Sequence, residues 1–126
     1  MSKGIVLVVD DEPDIVRSVS IRLQSAGYDV LTAMDSLQAT NIALKKTPDL
    51  IILDLGMPAG GGHVVIERLR GSVKGCNIPI IILSARTSYE DMQKAIEKGI
   101  EKYITKPFKS EELMAAVDEL IGKTSE

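Results

Sequence analysis

The sequence predicts an α/β fold: a doubly wound, three-layer (βα)5 sandwich built on a parallel five-stranded sheet. Three observations carry that prediction. Ile5-Val6-Leu7-Val8-Val9, Leu50-Ile51-Ile52-Leu53 and Ile78-Pro79-Ile80-Ile81-Ile82-Leu83 are short apolar runs without polar alternation, as strands buried on both faces require. Segments with helical spacing separate the strands, so strand and helix alternate strictly along the chain. Each strong run also stops at a polar residue: Asp10-Asp11, Asp54 or Ser84. Right-handed crossovers are assumed, and we take the strand order 2-1-3-4-5, a common doubly wound layout.

In chain order, Ile5–Val9 forms the first strand. Pro13 suits the first turn of a helix, with Glu12 or Asp11 available as its cap. Ile15, Val19, Leu23 and Ala26 recur at helical spacing, and Gly27 supplies the stop. Tyr28 to Ala33 is a less apolar strand suited to an edge. Asp35 or Ser36 caps a second helix with Ala39, Thr40, Ala43 and Leu44 inward, and Pro48 ends that unit. Periodicity alone does not separate the strand at Asp49–Asp54 from a helix segment. Asp49, Gly56 and Pro58 bound the run tightly and decide for a strand.

Ala59-Gly60-Gly61-Gly62 reads as a flexible loop, followed by a short helix from about His63 to Arg70 with Val65, Ile66 and Leu69 apolar. Gly71 to Asn77 is a polar connection. Ser88 caps a helix holding Met92, Ala95 and Ile96, stopped by Gly99. Glu101 to Thr105 is the fifth strand, and Ser110 caps a last helix with Leu113, Ala116, Val117, Leu120 and Ile121 inward.

Bulk properties bound the function. The 126 residues are expected to form one domain, with a core from about residue 4 to residue 121. Hydrophobic content of 44% and charged content of 26% are those of an ordinary soluble domain. A net charge of −3 without a basic cluster argues against direct nucleic-acid binding. No run approaches the roughly 18 apolar residues of a membrane span, and the N-terminus is a poor signal peptide. Cys76 is the only cysteine, so no internal disulfide forms and a plain structural role is expected. A cytoplasmic location is the expectation.

Parallel strands bring their carboxyl ends to one edge of the sheet. There stand Asp10 and Asp11 from strand 1, Asp54 from strand 3, Ser84 from strand 4 and Lys106 after strand 5. Clustered carboxylates raise one another's pKa unless a cation neutralises them, and Mg2+ suits oxygen ligands that include phosphate. A carboxylate can be the nucleophile in forming an aspartyl phosphate, and Asp54 is the best placed. Lys106 and the Ser84 hydroxyl can hold the remaining phosphoryl oxygens. Singly, each residue has a structural explanation: a cap, a turn residue, a solvated lysine. Four strands ending in complementary groups make coincidence the weaker account.

Four motifs, Val8-Val9-Asp10-Asp11-Glu12-Pro13, Leu53-Asp54-Leu55-Gly56-Met57-Pro58, Ile82-Leu83-Ser84-Ala85 and Tyr103-Ile104-Thr105-Lys106-Pro107-Phe108, resemble those of response-regulator receiver domains of two-component signalling. The resemblance covers essentially the whole chain and implies a CheY-like, flavodoxin-like fold. It implies that Asp54 takes a phosphoryl group from a sensor kinase's phosphohistidine, directly or through a phosphotransfer protein. It further implies Mg2+ held by Asp10, Asp11, Asp54 and the Gly56 backbone carbonyl, with Lys106 paired to the phosphoryl group and a cis Lys106–Pro107 bond. Ser84 and Tyr103 would be switch residues, and helix 4, strand 5 and helix 5 the surface read by a downstream effector.

Three departures matter. Gly61 stands where receivers commonly carry Asp, within a run of three glycines. Gly56 and Arg86, two residues past Asp54 and Ser84, occupy positions that influence phosphoryl lifetime in the family. Helix 5 carries Glu111, Glu112, Asp118 and Glu119 and no Arg, which makes dimerisation through that face less favoured without excluding it. Only five residues follow Ile121, so a stand-alone receiver and a segment of a longer regulator or hybrid kinase both remain open.

Competing classes are a phosphatase or dehalogenase with an aspartate nucleophile, a flavin-binding fold mate, and a receiver-like interaction domain that takes no phosphate. The first usually has a second acid where Gly56 stands. The second would want a phosphate-cradling loop after strand 1, where Asp10-Asp11-Glu12 would repel phosphate. Intact Asp54, Lys106 and acidic pair speak against the third.

Overall fold

The computed structural model describes residues 2–57 and 61–124. Five strands, β1 (Ile5–Val9), β2 (Asp29–Ala33), β3 (Leu50–Leu53), β4 (Ile80–Ser84) and β5 (Lys102–Thr105), alternate with α1 (Pro13–Ser25), α2 (Ser36–Lys46), α3 (Gly61–Arg70), α4 (Tyr89–Lys98) and α5 (Ser110–Thr124). The strands form one parallel sheet in the order β2-β1-β3-β4-β5. Both the fold class and the strand order expected from the sequence are observed.

The unbroken apolar runs are explained by the two cores they serve. Leu7, Val9, Ile51, Leu53, Ile80 and Ile82 face one core with Ala39 and Ala43 of α2, Val65, Ile66 and Leu69 of α3 and Ala95 of α4. Their neighbours Val6, Val8, Leu50, Ile52, Ile81 and Leu83 face the other, with Val19 and Leu23 of α1 and Leu113, Val117 and Ile121 of α5. Successive strand side chains point to opposite faces, so a strand covered on both sides must be apolar throughout. Burying one such Leu or Ile contributes about 1.5–3 kcal/mol, which holds the edge bearing the acids in place.

Several boundaries differ from expectation, each for a local reason. β3 excludes Asp49, whose carboxylate accepts the Ile5 N–H at 2.8 Å and fastens the start of β1. β4 begins after Pro79, which lacks a backbone donor, and runs on through Ser84. Glu12 sits at the N-cap of α1 but no side chain caps that helix; Asp10 Oδ1 takes the Glu12 N–H instead, at 3.0 Å. Asp35 does cap α2, accepting from Gln38 N–H at 2.8 Å, and Ser88 caps α4. Ser110 opens α5 as its first residue rather than capping it, and the Lys109 carbonyl accepts the Glu112 and Leu113 amides. In α4 only Ala95 is buried, while Ile96 faces solvent. Cys76 is exposed.

The glycine-rich segment needs the largest correction. Ala59 and Gly60 lie outside the described residues, but Gly61 and Gly62 are buried and already helical, two residues before the expected start at His63. A Cβ on Gly61 would meet the Leu55 carbonyl oxygen at 2.4 Å, and one on Gly62 the Asp54 carbonyl oxygen at 2.5 Å. Close backbone packing, not looseness, is what these two glycines provide.

Candidate functional site

The carboxyl edge of the sheet places the acids from two adjacent central strands together. The last β1–β3 pair is Val9 with Leu53, so Asp10 and Asp54 emerge side by side, with the Asp54 N–H donating to the Val9 carbonyl at 3.0 Å. Carboxylate oxygens of Asp10, Asp11 and Asp54 all lie within 4.8 Å of one another. Asp10 is 2% exposed and Asp54 8%, whereas Asp11 faces solvent. Two acids are therefore nearly shut from water, and the third opens the cluster to it.

Lys106 arrives from the far side of the sheet. Its N–H donates to the Ser84 carbonyl at 2.9 Å, which carries the β4–β5 pairing one residue past Thr105, and the Lys106–Pro107 bond is cis as the resemblance implies. Lys106 Nζ lies 2.6 Å from Asp10 Oδ2, 3.6 Å from Glu12 Oε2 and 4.0 Å from Asp54 Oδ2. Burial pushes the Asp10 carboxyl above its usual range and outweighs the Lys106 hydrogen bond, with Asp54's charge adding to the rise. For Lys106, burial pulls downward but loses to the Asp10 bond and to the charges of Asp54, Asp10 and Glu12, so its cation is reinforced. One lysine is thus shared among three acids, an arrangement with room for a further cation.

Gly56 turns the chain back over the site, its N–H donating to Asp54 Oδ1 at 3.2 Å. A Cβ there would meet Arg86 Nε and Asp54 Oδ2 at 3.7 Å, ordinary contacts, so the position is open to a side chain. Ser84 is fully buried at the end of β4, and its Oγ accepts the Arg86 N–H at 3.2 Å. The Tyr103 hydroxyl donates to the Arg86 carbonyl at 2.6 Å, and burial raises this phenol above its ordinary value. The structure therefore groups Asp10, Asp11, Asp54 and Lys106 directly. Ser84 and Tyr103 are tied to Arg86 in the turn before α4.

The sequence offers Ser36 only as a candidate cap of α2 and assigns Arg70 no role. Ser36, buried in the first turn of α2, donates to the Gly61 carbonyl at 2.7 Å and joins α2 to the segment packed on Asp54 and Leu55. Arg70 donates to the Gly99, Gly75, Cys76 and Ile78 carbonyls and to Glu101 Oε1, stitching α3 to the far ends of α4, β4 and β5. A lone Ser and a lone Arg at helix ends look like surface residues until the tertiary partners are known.

The response regulator receiver domain family matches residues 6–118. The chain belongs to that family. This receiver domain is 40% identical over 119 residues to the DNA-binding dual master transcriptional regulator RpaA of Synechocystis, covering 94% of this chain and 49% of that protein. It is 43% identical over 111 residues to the transcriptional regulatory protein KdpE of Mycobacterium tuberculosis, covering 88% and 48%. The chain spans about half the length of such relatives, and 8% of a Dictyostelium discoideum hybrid histidine kinase, at 39% identity.

Among solved structures, the chemotaxis response regulator CheY4 of Vibrio cholerae aligns with a TM-score of 0.86 and 35% identity, over 93% of this chain and 98% of that one. The receiver domain of the Pseudomonas aeruginosa sensor kinase PA1611, solved with a magnesium ion coordinated in its active-site cleft, aligns with a TM-score of 0.87 and 30% identity, over 94% and 98%. Among the described residues of the receiver, no helix is long and apolar enough to cross a membrane.

Proposed function

We propose that Asp54 is the phosphoacceptor of a two-component switch and takes its phosphoryl group from a phosphohistidine on a histidine kinase or phosphotransfer protein. One observation carries the reading: three carboxylates within 4.8 Å, two of them buried, with Lys106 reaching Asp10 and Asp54. Asp10, Asp11, Asp54 and the Gly56 carbonyl would hold Mg2+. The donor set fits a hard oxygen-seeking ion, and the buried, upward-shifted Asp10 gains most from one. When bound, the ion supplies positive charge that offsets the acids and attracts phosphoryl oxygens.

The chain's own residues do the rest. An Asp54 carboxylate oxygen forms the new bond to phosphorus as the N–P bond of the phosphohistidine breaks, and the imidazole nitrogen keeps that electron pair and takes a proton. Lys106 stands 4.0 Å from Asp54 Oδ2, where its cation can pair with the incoming phosphoryl oxygens. The Ser84 hydroxyl turns from the Arg86 amide towards a phosphoryl oxygen. That loosens the turn to which Tyr103 is bonded, so charge added at Asp54 biases the surface formed by α4, β5 and α5. A downstream protein reads that surface, without direct nucleic-acid contact by this domain. Return to the resting state is hydrolysis of the Asp54 acyl phosphate within the same site.

Incubation with Mg2+ and a small-molecule phosphodonor, followed by intact mass, tests the reading. One phosphoryl adduct is expected, and it is lost in Asp54→Ala. No adduct from small donors or any kinase would overturn the proposal in favour of an interaction domain that takes no phosphate.

A further inference from the structure

His63 is the only histidine in the chain, and it stands in α3 against α4 and does not belong to the acidic cluster of Asp10, Asp11 and Asp54. Its side chain is 18% exposed, and neither ring nitrogen makes a hydrogen bond among the described residues. The groups facing it are Asp91, Lys94 and Lys98 of α4 and Glu67 of its own helix, with Arg86 of the β4–α4 turn reaching it through Asp91. Glu67 is engaged by Lys98 at 2.7 Å. Burial first, and the Lys98 charge second, hold the imidazole below its ordinary value, opposed by Asp91.

One carboxylate oxygen is contested. Asp91 Oδ1 lies 3.5 Å from His63 Nε2 and 3.9 Å from Arg86 Nη1. Arg86 is also the hub of the turn, since its N–H donates to Ser84 Oγ and its carbonyl accepts from Tyr103. Its guanidinium and Asp54 flank one space: Arg86 Nε and Asp54 Oδ2 each lie 3.7 Å from the point where a Gly56 Cβ would stand. Asp91 is therefore shared between a cation beside Asp54 and a side chain able to change its charge.

We propose that His63 is a proton-sensitive counterweight on the switch: protonated His63 takes Asp91, which frees Arg86 to pair with phosphorylated Asp54. The proposal rests on Asp54 being the phosphoacceptor. A phosphoryl dianion attracts a guanidinium more strongly than a half-exposed pair at 3.9 Å does. Once Arg86 leaves, Asp91 is left facing His63 and favours its protonated form. Coupling between sites is reciprocal. Falling pH must therefore favour the phosphorylated state, and phosphorylation must raise the pH at which His63 titrates.

A single histidine makes the test direct, because its imidazole C–H signals in NMR report one titration. The titration is compared with Mg2+ alone and with Mg2+ plus beryllofluoride, a phosphoryl stand-in. The expected midpoint lies below 6.5 with Mg2+ alone and rises by about half a pH unit with beryllofluoride, a roughly threefold coupling. The rise shrinks in Arg86→Gln and vanishes in Asp91→Asn. Beryllofluoride binds wild type about threefold more tightly below the midpoint than above it, and this dependence is absent in His63→Gln. Equal midpoints with beryllofluoride bound overturn the proposal and leave the phosphoacceptor reading standing. A rise that persists undiminished in Asp91→Asn and Arg86→Gln overturns it too, because the coupling then bypasses the shared carboxylate. Failure of beryllofluoride to bind at all overturns both.

Discussion

Asp54 takes its chemical character from its immediate neighbours: Gly56 bonds one carboxylate oxygen and Lys106 stands beyond the other. Gly56 and Arg86 border the approach to that second oxygen, and the room at Gly56 accepts a side chain without strain. On the proposed function, both positions control how water reaches the acyl phosphate. Gly56→Asn is expected to change the phosphoryl half-life severalfold by placing a polar group in that approach, and Arg86→Ala to shorten it by removing a cation that covers the phosphoryl oxygens. Decay of the phosphorylated protein followed by intact mass checks this, and unchanged half-lives in both variants refute it.

At the scale of elements, Gly61 and Gly62 at the start of α3 lie against the backbone of Asp54 and Leu55, an approach that glycine allows. Gly62→Ala would press a methyl group to 2.5 Å from the Asp54 carbonyl oxygen and 3.0 Å from Leu55 Cα. Overpacking of this kind costs about 1–3 kcal/mol, and here it falls on the backbone of Asp54 itself. Gly122 is the contrast, since a Cβ there meets nothing within 4 Å inside α5. Gly122→Ala is expected to stabilise by up to about 1 kcal/mol through helix propensity. Urea unfolding of the two variants should move the midpoint in opposite directions. A common direction would refute the packing account.

For the whole molecule, the buried acids are a stability cost, and on the proposed function a divalent ion relieves it. The Asp10 carboxyl is raised by burial, so the folded state binds protons more readily than the unfolded chain at and above the ordinary value of 3.8. Without metal, the Asp10 contribution to stability therefore falls as pH rises through that window. On the proposed function Mg2+ binds the deprotonated cluster and opposes the fall. Saturating Mg2+, at about 100 times its Kd, should stabilise by roughly 2.7 kcal/mol. The gain should be largest near neutral pH and shrink as the acids protonate. Asp10→Asn should raise the melting temperature without metal and lose most of the Mg2+ increment. Melting curves with and without Mg2+ decide, and an equal increment in wild type and Asp10→Asn would count against the cluster as the metal site.

The alternating architecture is legible in the amino-acid order, because a strand covered on both faces must be apolar at every position, and Leu50–Leu53 and Ile80–Leu83 satisfy that. The amino-acid order also puts the acids at strand ends on one edge, since parallel pairing sends every carboxyl end there. The adjacency of β1 and β3, by contrast, rests on an assumed strand order that the structure shows. What those ends touch depends on how distant segments pack. Lys106 is 96 residues from Asp10 yet bonded to it, and Gly61 and Gly62 read as slack until their contact with Asp54 and Leu55 is seen. Ser36, Arg70 and the Asp91 carboxylate between His63 and Arg86 share that history. Periodicity records which face of an element is buried, but a polar side chain's partner depends on how separate elements pack. In this chain that packing set the surroundings of Asp54.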